Sequence, residues 1–92
     1  DGGDTWHGSW TALQTRGADM VECMALLKPD AMVGHFEFTL GQDRVKELAG
    51  QLAFPFLAGN LVDSEWKEPV FDAYRMVERG GVRIGVIGQA FP

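Results

Sequence analysis

Eight residues, Gly34-His35-Phe36-Glu37-Phe38-Thr39-Leu40-Gly41, constrain the fold of this chain more than any others. The apolar run Ala31-Met32-Val33 precedes them, and Gln42-Asp43-Arg44-Val45-Lys46-Glu47-Leu48, with helical spacing, follows. An apolar strand, a glycine-bounded loop with an imidazole and a carboxylate, then a helix is a common layout for an α/β site. In such folds polar groups gather beyond the carboxyl ends of the strands.

The rest of the chain reads consistently with that unit. Asp1 to Ser9 is glycine-rich and should form a loop leaving a strand end. Trp10 to Thr15 suits a short helical turn. From Ala18 to Lys28 the apolar residues Met20, Cys23, Met24 and Leu27 recur at i, i+3, i+4 and i+7, predicting an amphipathic helix that Pro29 stops. Cys23 is then expected to be a small buried apolar residue. Asp30 to Val33 is expected as a short buried strand. Gln42 to Leu52 repeats helical spacing at Val45, Leu48, Ala49 and Leu52, leaving Asp43, Arg44, Lys46 and Glu47 to face water. Phe54 to Ala58 reads as a second buried strand, confined by Pro55 to an edge or a strand start. After a polar, irregular stretch, Val70 to Glu78 and Val82 to Ile87 should pair as a hairpin around Gly80-Gly81. This order predicts an α/β fold with helices packed on a mainly buried sheet.

Composition removes several classes of function. The chain of 92 residues has a net charge of −5 and scattered basic residues, which excludes a nucleic-acid footprint. No apolar run approaches the roughly 20 residues needed to cross a bilayer, so no membrane insertion is expected. A single cysteine excludes an internal disulfide. Gly85-Val86-Ile87-Gly88 lacks the spacing of a dinucleotide-binding fingerprint. The two ends, which look like a strand already entering a loop and a strand with no closing element, lead us to expect a piece of a larger domain.

Asp4, within Gly3-Asp4-Thr5-Trp6-His7-Gly8, is the other candidate site residue. A carboxylate just past a strand end can bridge two cations, which in two-metal sites lie about 3.5–4 Å apart. Alone, an Asp beside glycine is more often a turn residue. His35 offers a neutral imidazole suited to Mn²⁺ or Zn²⁺, or simply a hydrogen-bonding loop side chain. His7 is a candidate for the wall of the same cleft. Nothing else here has metal-ligand spacing.

Taken together, these stretches resemble the metallophosphoesterase superfamily and its 5′-nucleotidase-like branch. The branch pattern G-D-x-x-x-G is matched by Gly3-Asp4-Thr5-Trp6-His7-Gly8. Its G-N-H-E-F-D-x-G pattern is matched at Gly34, Glu37, Phe38 and Gly41. The ligand Asn of that pattern becomes His35, its catalytic His becomes Phe36, and its Asp becomes Thr39. A gapped alignment would place His35 on the catalytic His, but it breaks the matches at Glu37, Phe38 and Gly41. The changed pattern resembles that of the SoxB family of sulfur-oxidation thiosulfohydrolases, whose corresponding word has Trp where this chain has Phe36. Leu27 to His35 and Ile87 to Pro92 are similar to the same family.

The resemblance implies a layered metallophosphoesterase-like α/β sandwich with a mixed sheet, of which residues 1–92 form an internal part. The D-x-H strand would lie upstream and the later histidine motifs downstream, so these residues alone would be inactive. It implies two divalent ions, Mn or else Zn, with Asp4 bridging them and His35 binding the second. His7, Phe36, Glu37 and Asn60 would line the cleft, and Phe36 and Thr39 would replace the nucleotidase His–Asp dyad. The implied reaction releases sulfate from a cysteine S-sulfonate on a SoxYZ-type carrier protein in the periplasm. A nucleotide phosphohydrolase, or a non-catalytic binding protein on the same fold, are the alternatives.

Overall fold

The structure, a computed structural model, describes residues 1–90, so Phe91 and Pro92 of the last motif word lie outside it. Ser9 starts the first helix, α1 (Trp10–Thr15), by accepting the Ala12 N–H on its Oγ at 2.9 Å. Arg16 ends α1 in the left-handed region, and α2 (Ala18–Leu27) follows directly. Lys28, also left-handed, closes α2 just before Pro29. The buried residues of α2 are Val21 and Met24, with Met20 half-buried. Cys23 and Leu27, expected on the buried face, are exposed. The cause is compositional: with only Asp19 and Glu22 polar, α2 is apolar nearly all round, and periodicity alone does not select a face.

The central strands are short. β1 (Met32–Val33) and β2 (Phe56–Leu57) pair in parallel, Met32 opposite Phe56 and Val33 opposite Leu57. Asp1 joins β1 through the Val33 N–H, which donates to its carbonyl at 3.1 Å. A 3-10 turn, Phe36–Leu40, leads from β1 into α3 (Gln42–Ala49). α3 stops short of the expected Leu52, because the chain tightens at Gly50 into bonds from Gln51 N to Leu48 O and Leu52 N to Ala49 O.

β3 (Tyr74–Arg79) and β4 (Val82–Ile87) form an antiparallel hairpin, Tyr74 opposite Ile87. Gly80 and Gly81, with φ of 58° and 77°, make the turn that matches strand twist. A parallel bridge from Leu57 to Asp72 and the Gly59 N–H to Gly88 O bond tie this hairpin to β2. The α/β layering and mixed pairing are as expected. Burial holds for the parallel pair, while the hairpin is largely exposed on both faces.

The core lies between the parallel pair and the helices. Trp6, Val21, Met24, Met32, Val45, Leu48 and Phe56 form one cluster, with Phe38, Leu40 and Phe71 against it. Trp6 is fully buried and its ring sits 5.4 Å from Phe56. The first loop is therefore anchored in the core two residues after Asp4.

Candidate functional site

Two loops meet beyond the carboxyl end of β1, one carrying Asp4 and the other His35. Gly3 allows the approach. Its φ is +90°, and an added Cβ would fall 2.9 Å from both His35 N and Val33 O, which are backbone atoms. Asp4 follows at φ 60°, a left-handed conformation that Asp tolerates better than most side chains.

The Glu37 carboxylate holds these loops together from inside. It is wholly buried and accepts four backbone N–H groups. Oε2 accepts from Asp4 at 3.1 Å and from His35 at 2.7 Å, while Oε1 accepts from Thr5 at 2.5 Å and Trp6 at 3.2 Å. Burial pushes this carboxyl up. The N–H donors of His35, Thr5 and Asp4 outweigh that and hold it below the usual carboxylate range. A cleft-lining role for Glu37 is thus corrected: with no exposed surface, it is an anionic clamp under the site.

Above the clamp, Asp4 gathers the two histidines of the chain. His7 Nε2 lies 3.0 Å from Asp4 Oδ1, and His35 Nδ1 lies 2.8 Å from the same oxygen. The Phe36 N–H donates to it at 3.2 Å. The bonds to His7, then His35, lower the Asp4 pKa to about 2, so the group is anionic at neutral pH. The Phe36 ring is 53% exposed and meets both imidazoles edge-on, at 4.6 Å from His35 and 5.7 Å from His7.

Asp4 and His35, a carboxylate and an imidazole, are donor types that suit a divalent ion. Among the described residues, no group of three or more His, Cys, Asp or Glu is arranged to hold an ion by itself. Asp4 and His35 fit as part of a shell.

Other expected site residues are engaged elsewhere. Thr39 Oγ1 donates to Phe36 O at 2.6 Å inside the 3-10 turn, and so cannot orient an imidazole as the nucleotidase Asp would. The Asn60 amide makes its bonds with Ala90, donating to its carbonyl at 2.7 Å and accepting its N–H at 2.8 Å, and not with the Asp4 cluster. His7 and Thr39 line a cleft of about 380 Å³ with Trp6, Leu13 and Arg16. Sequence reasoning missed the anchoring by Trp6 and the clamp by Glu37. Its available signal was a lone carboxylate between two phenylalanines, close to a glycine-rich loop full of N–H donors.

No protein-family profile matches the chain. A 5′-nucleotidase of Vibrio vulnificus is 35% identical over 66 residues, covering 71% of this chain and 12% of that protein. The structure of the sulfate thiohydrolase SoxB of Thermus thermophilus, in complex with glycerol, superposes with a TM-score of 0.88 at 42% identity. That match covers 98% of this chain and 17% of the SoxB chain. The chain is therefore SoxB-like in sequence and fold along its length, while it spans less than a fifth of the proteins it matches. Both are hydrolases by name, and the metallophosphoesterase-like reading stands on them.

Proposed function

We propose that this chain contributes the Asp4–His35 part of a dimetal hydrolase that releases sulfate from a cysteine S-sulfonate on a SoxYZ-type carrier protein. The observation that carries the reading is the 42% identity to a SoxB structure across 98% of the chain, joined to the pairing of Asp4 with His35. In this reading the ions are Mn²⁺, or else Zn²⁺, and the protein works in the periplasm. In the overall reaction water adds to the sulfonate sulfur and the S–S bond breaks. Sulfate leaves, and the carrier keeps its sulfur as a thiol.

Two bound cations would supply Lewis acidity for the sulfonate oxygens and a water nucleophile at neutral pH. The chain's own residues do the positioning. Asp4, anionic and fixed by its left-handed backbone, presents Oδ1 between His35 and His7. Phe36 sets an apolar edge against both imidazoles. Thr39 spends its hydroxyl on the turn, so no His–Asp dyad forms at these positions to stabilise a phosphoryl group.

A nucleotidase is the second reading, favoured by the Vibrio relative and opposed by Phe36 and Thr39. The test assays the full-length protein for sulfate release from a carrier-bound S-sulfonate and for phosphate release from a nucleotide. Sulfate without phosphate is expected. Phosphate alone would return the chain to the nucleotidases, and neither product would leave a binding protein.

A further inference from the structure

We propose that Glu37 is a positioning residue for the metal ligands, acting through the backbone and never touching metal or substrate. This rests on the dimetal reading above. Its basis is the choice of partners: one oxygen, Oε2, accepts the main-chain N–H groups of Asp4 and His35, the two residues assigned as ligands. These residues are separated by a long stretch of chain, and Gly3 has already brought their loops into backbone contact. A shared acceptor converts that contact into a set spacing. The second oxygen pins Thr5 and Trp6, and Trp6 is rooted in the core, so the spacing is referred to the rigid part of the fold.

Energetics support a dedicated role. Burying a carboxylate is costly unless its oxygens are hydrogen-bonded. Here its hydrogen-bond partners are main-chain N–H groups of the two site loops and of Trp6, and no ion pair to it forms among the described residues. Charge-assisted bonds of this kind are directional and stronger than neutral ones, so they hold the loops in one arrangement before any ligand arrives. A glutamine of equal size would keep one accepting oxygen but point an NH₂ group at one pair of N–H donors. Packing is preserved and the clamp is broken on one side.

The experiment compares Mn²⁺ binding by calorimetry in the full-length protein, unaltered and as Glu37→Gln, alongside metal-free thermal melts. Glu37→Gln is expected to weaken Mn²⁺ binding by about 10–100-fold, the range seen when a group that orients metal ligands is lost. Turnover should recover at raised Mn²⁺. Affinity equal to the unaltered protein, with only the melting temperature lowered, would show a merely structural carboxylate and overturn the proposal. Absence of Mn²⁺ and Zn²⁺ binding by the unaltered protein would instead overturn the metal reading itself. Should Glu37→Gln not fold, amide hydrogen exchange in the metal-free unaltered protein decides. Protected Asp4 and His35 amides support the clamp. Amides that exchange freely until metal is added mean that the metal, not Glu37, sets the spacing.

Discussion

Gly3 sets how near the two site loops come, and the cost of changing it can be argued from two directions. A Cβ there meets the backbone at His35 and Val33, and φ of +90° is unfavourable for any residue with a side chain. Gly3→Ala is therefore expected to cost about 1–3 kcal/mol of stability. It should also weaken Mn²⁺ binding, because the relief available is to move Asp4 away from His35. Chemical denaturation and metal titration of the same variant check both parts; unchanged metal affinity would mean that the pair tolerates wider loops. Phe36 raises a different residue-scale question, that of substrate choice. Its ring is exposed beside both imidazoles, at the position where the nucleotidase pattern carries its catalytic histidine. Phe36→His in the full-length protein should give measurable phosphate release from a nucleotide while lowering sulfate release. If phosphate release stays at background, the aromatic edge is not what separates the two chemistries.

Elements are also held in place by contacts that the helical patterns do not show, and Arg44 makes several of them. Expected to face water, its guanidinium is instead mostly covered and reaches from α3 to the end of α1. There Nη2 donates to Thr15 O at 2.9 Å and Nε to Arg16 O at 3.1 Å, while Nη1 pairs with Glu47 at 2.8 Å. These are the orphan carbonyls of a helix C-terminus, met by a cation that suits the dipole. Lysine cannot reproduce the fork. Arg44→Lys should therefore lose about 1–2 kcal/mol in urea unfolding, in line with losing one charge-assisted bond. No loss would mean that α1 is held by packing alone. What was legible in the sequence follows the same division between local and distant causes. Pro29 and Gly80-Gly81 act on their own neighbours, so the end of α2 and the hairpin could be read directly. The buried face of α2 could not, because apolar residues surround that helix. The pairing of Asp4 with His35 was reached through resemblance, since it depends on loops brought together in space. Glu37 was misread for the same reason: three of its partners are main-chain N–H groups 31–33 residues away, and main-chain groups leave no mark in a sequence.

At the scale of the whole chain the molecule is a slab of 42 × 35 × 19 Å with a radius of gyration of 13.4 Å. A compact domain of this length would be nearer to about 12 Å. Thinness leaves apolar groups outside: Trp10 and Leu13 on α1, Leu26 and Leu27 on α2, and Tyr74, Val82 and Ile87 on the hairpin. The hairpin is the sharper liability, because a ribbon with two exposed faces and a free edge is a template for pairing with another chain. Residues 1–92 expressed alone are accordingly expected to bind a hydrophobic dye and to associate as concentration rises. The directly opposed Tyr74 and Ile87 provide the control. Replacing them together, Tyr74→Lys with Ile87→Glu, puts an opposite-charge pair on the exposed ribbon, a stabilising arrangement across strands. Association should fall while the helical signal is unchanged, since neither side chain belongs to the Trp6–Phe56 cluster. Sedimentation of both versions at several concentrations is the measurement. If the unaltered segment stays monomeric and melts in one cooperative step, the cluster around Trp6 is enough to stabilise a slab this thin, and the exposed ribbon carries no association of its own.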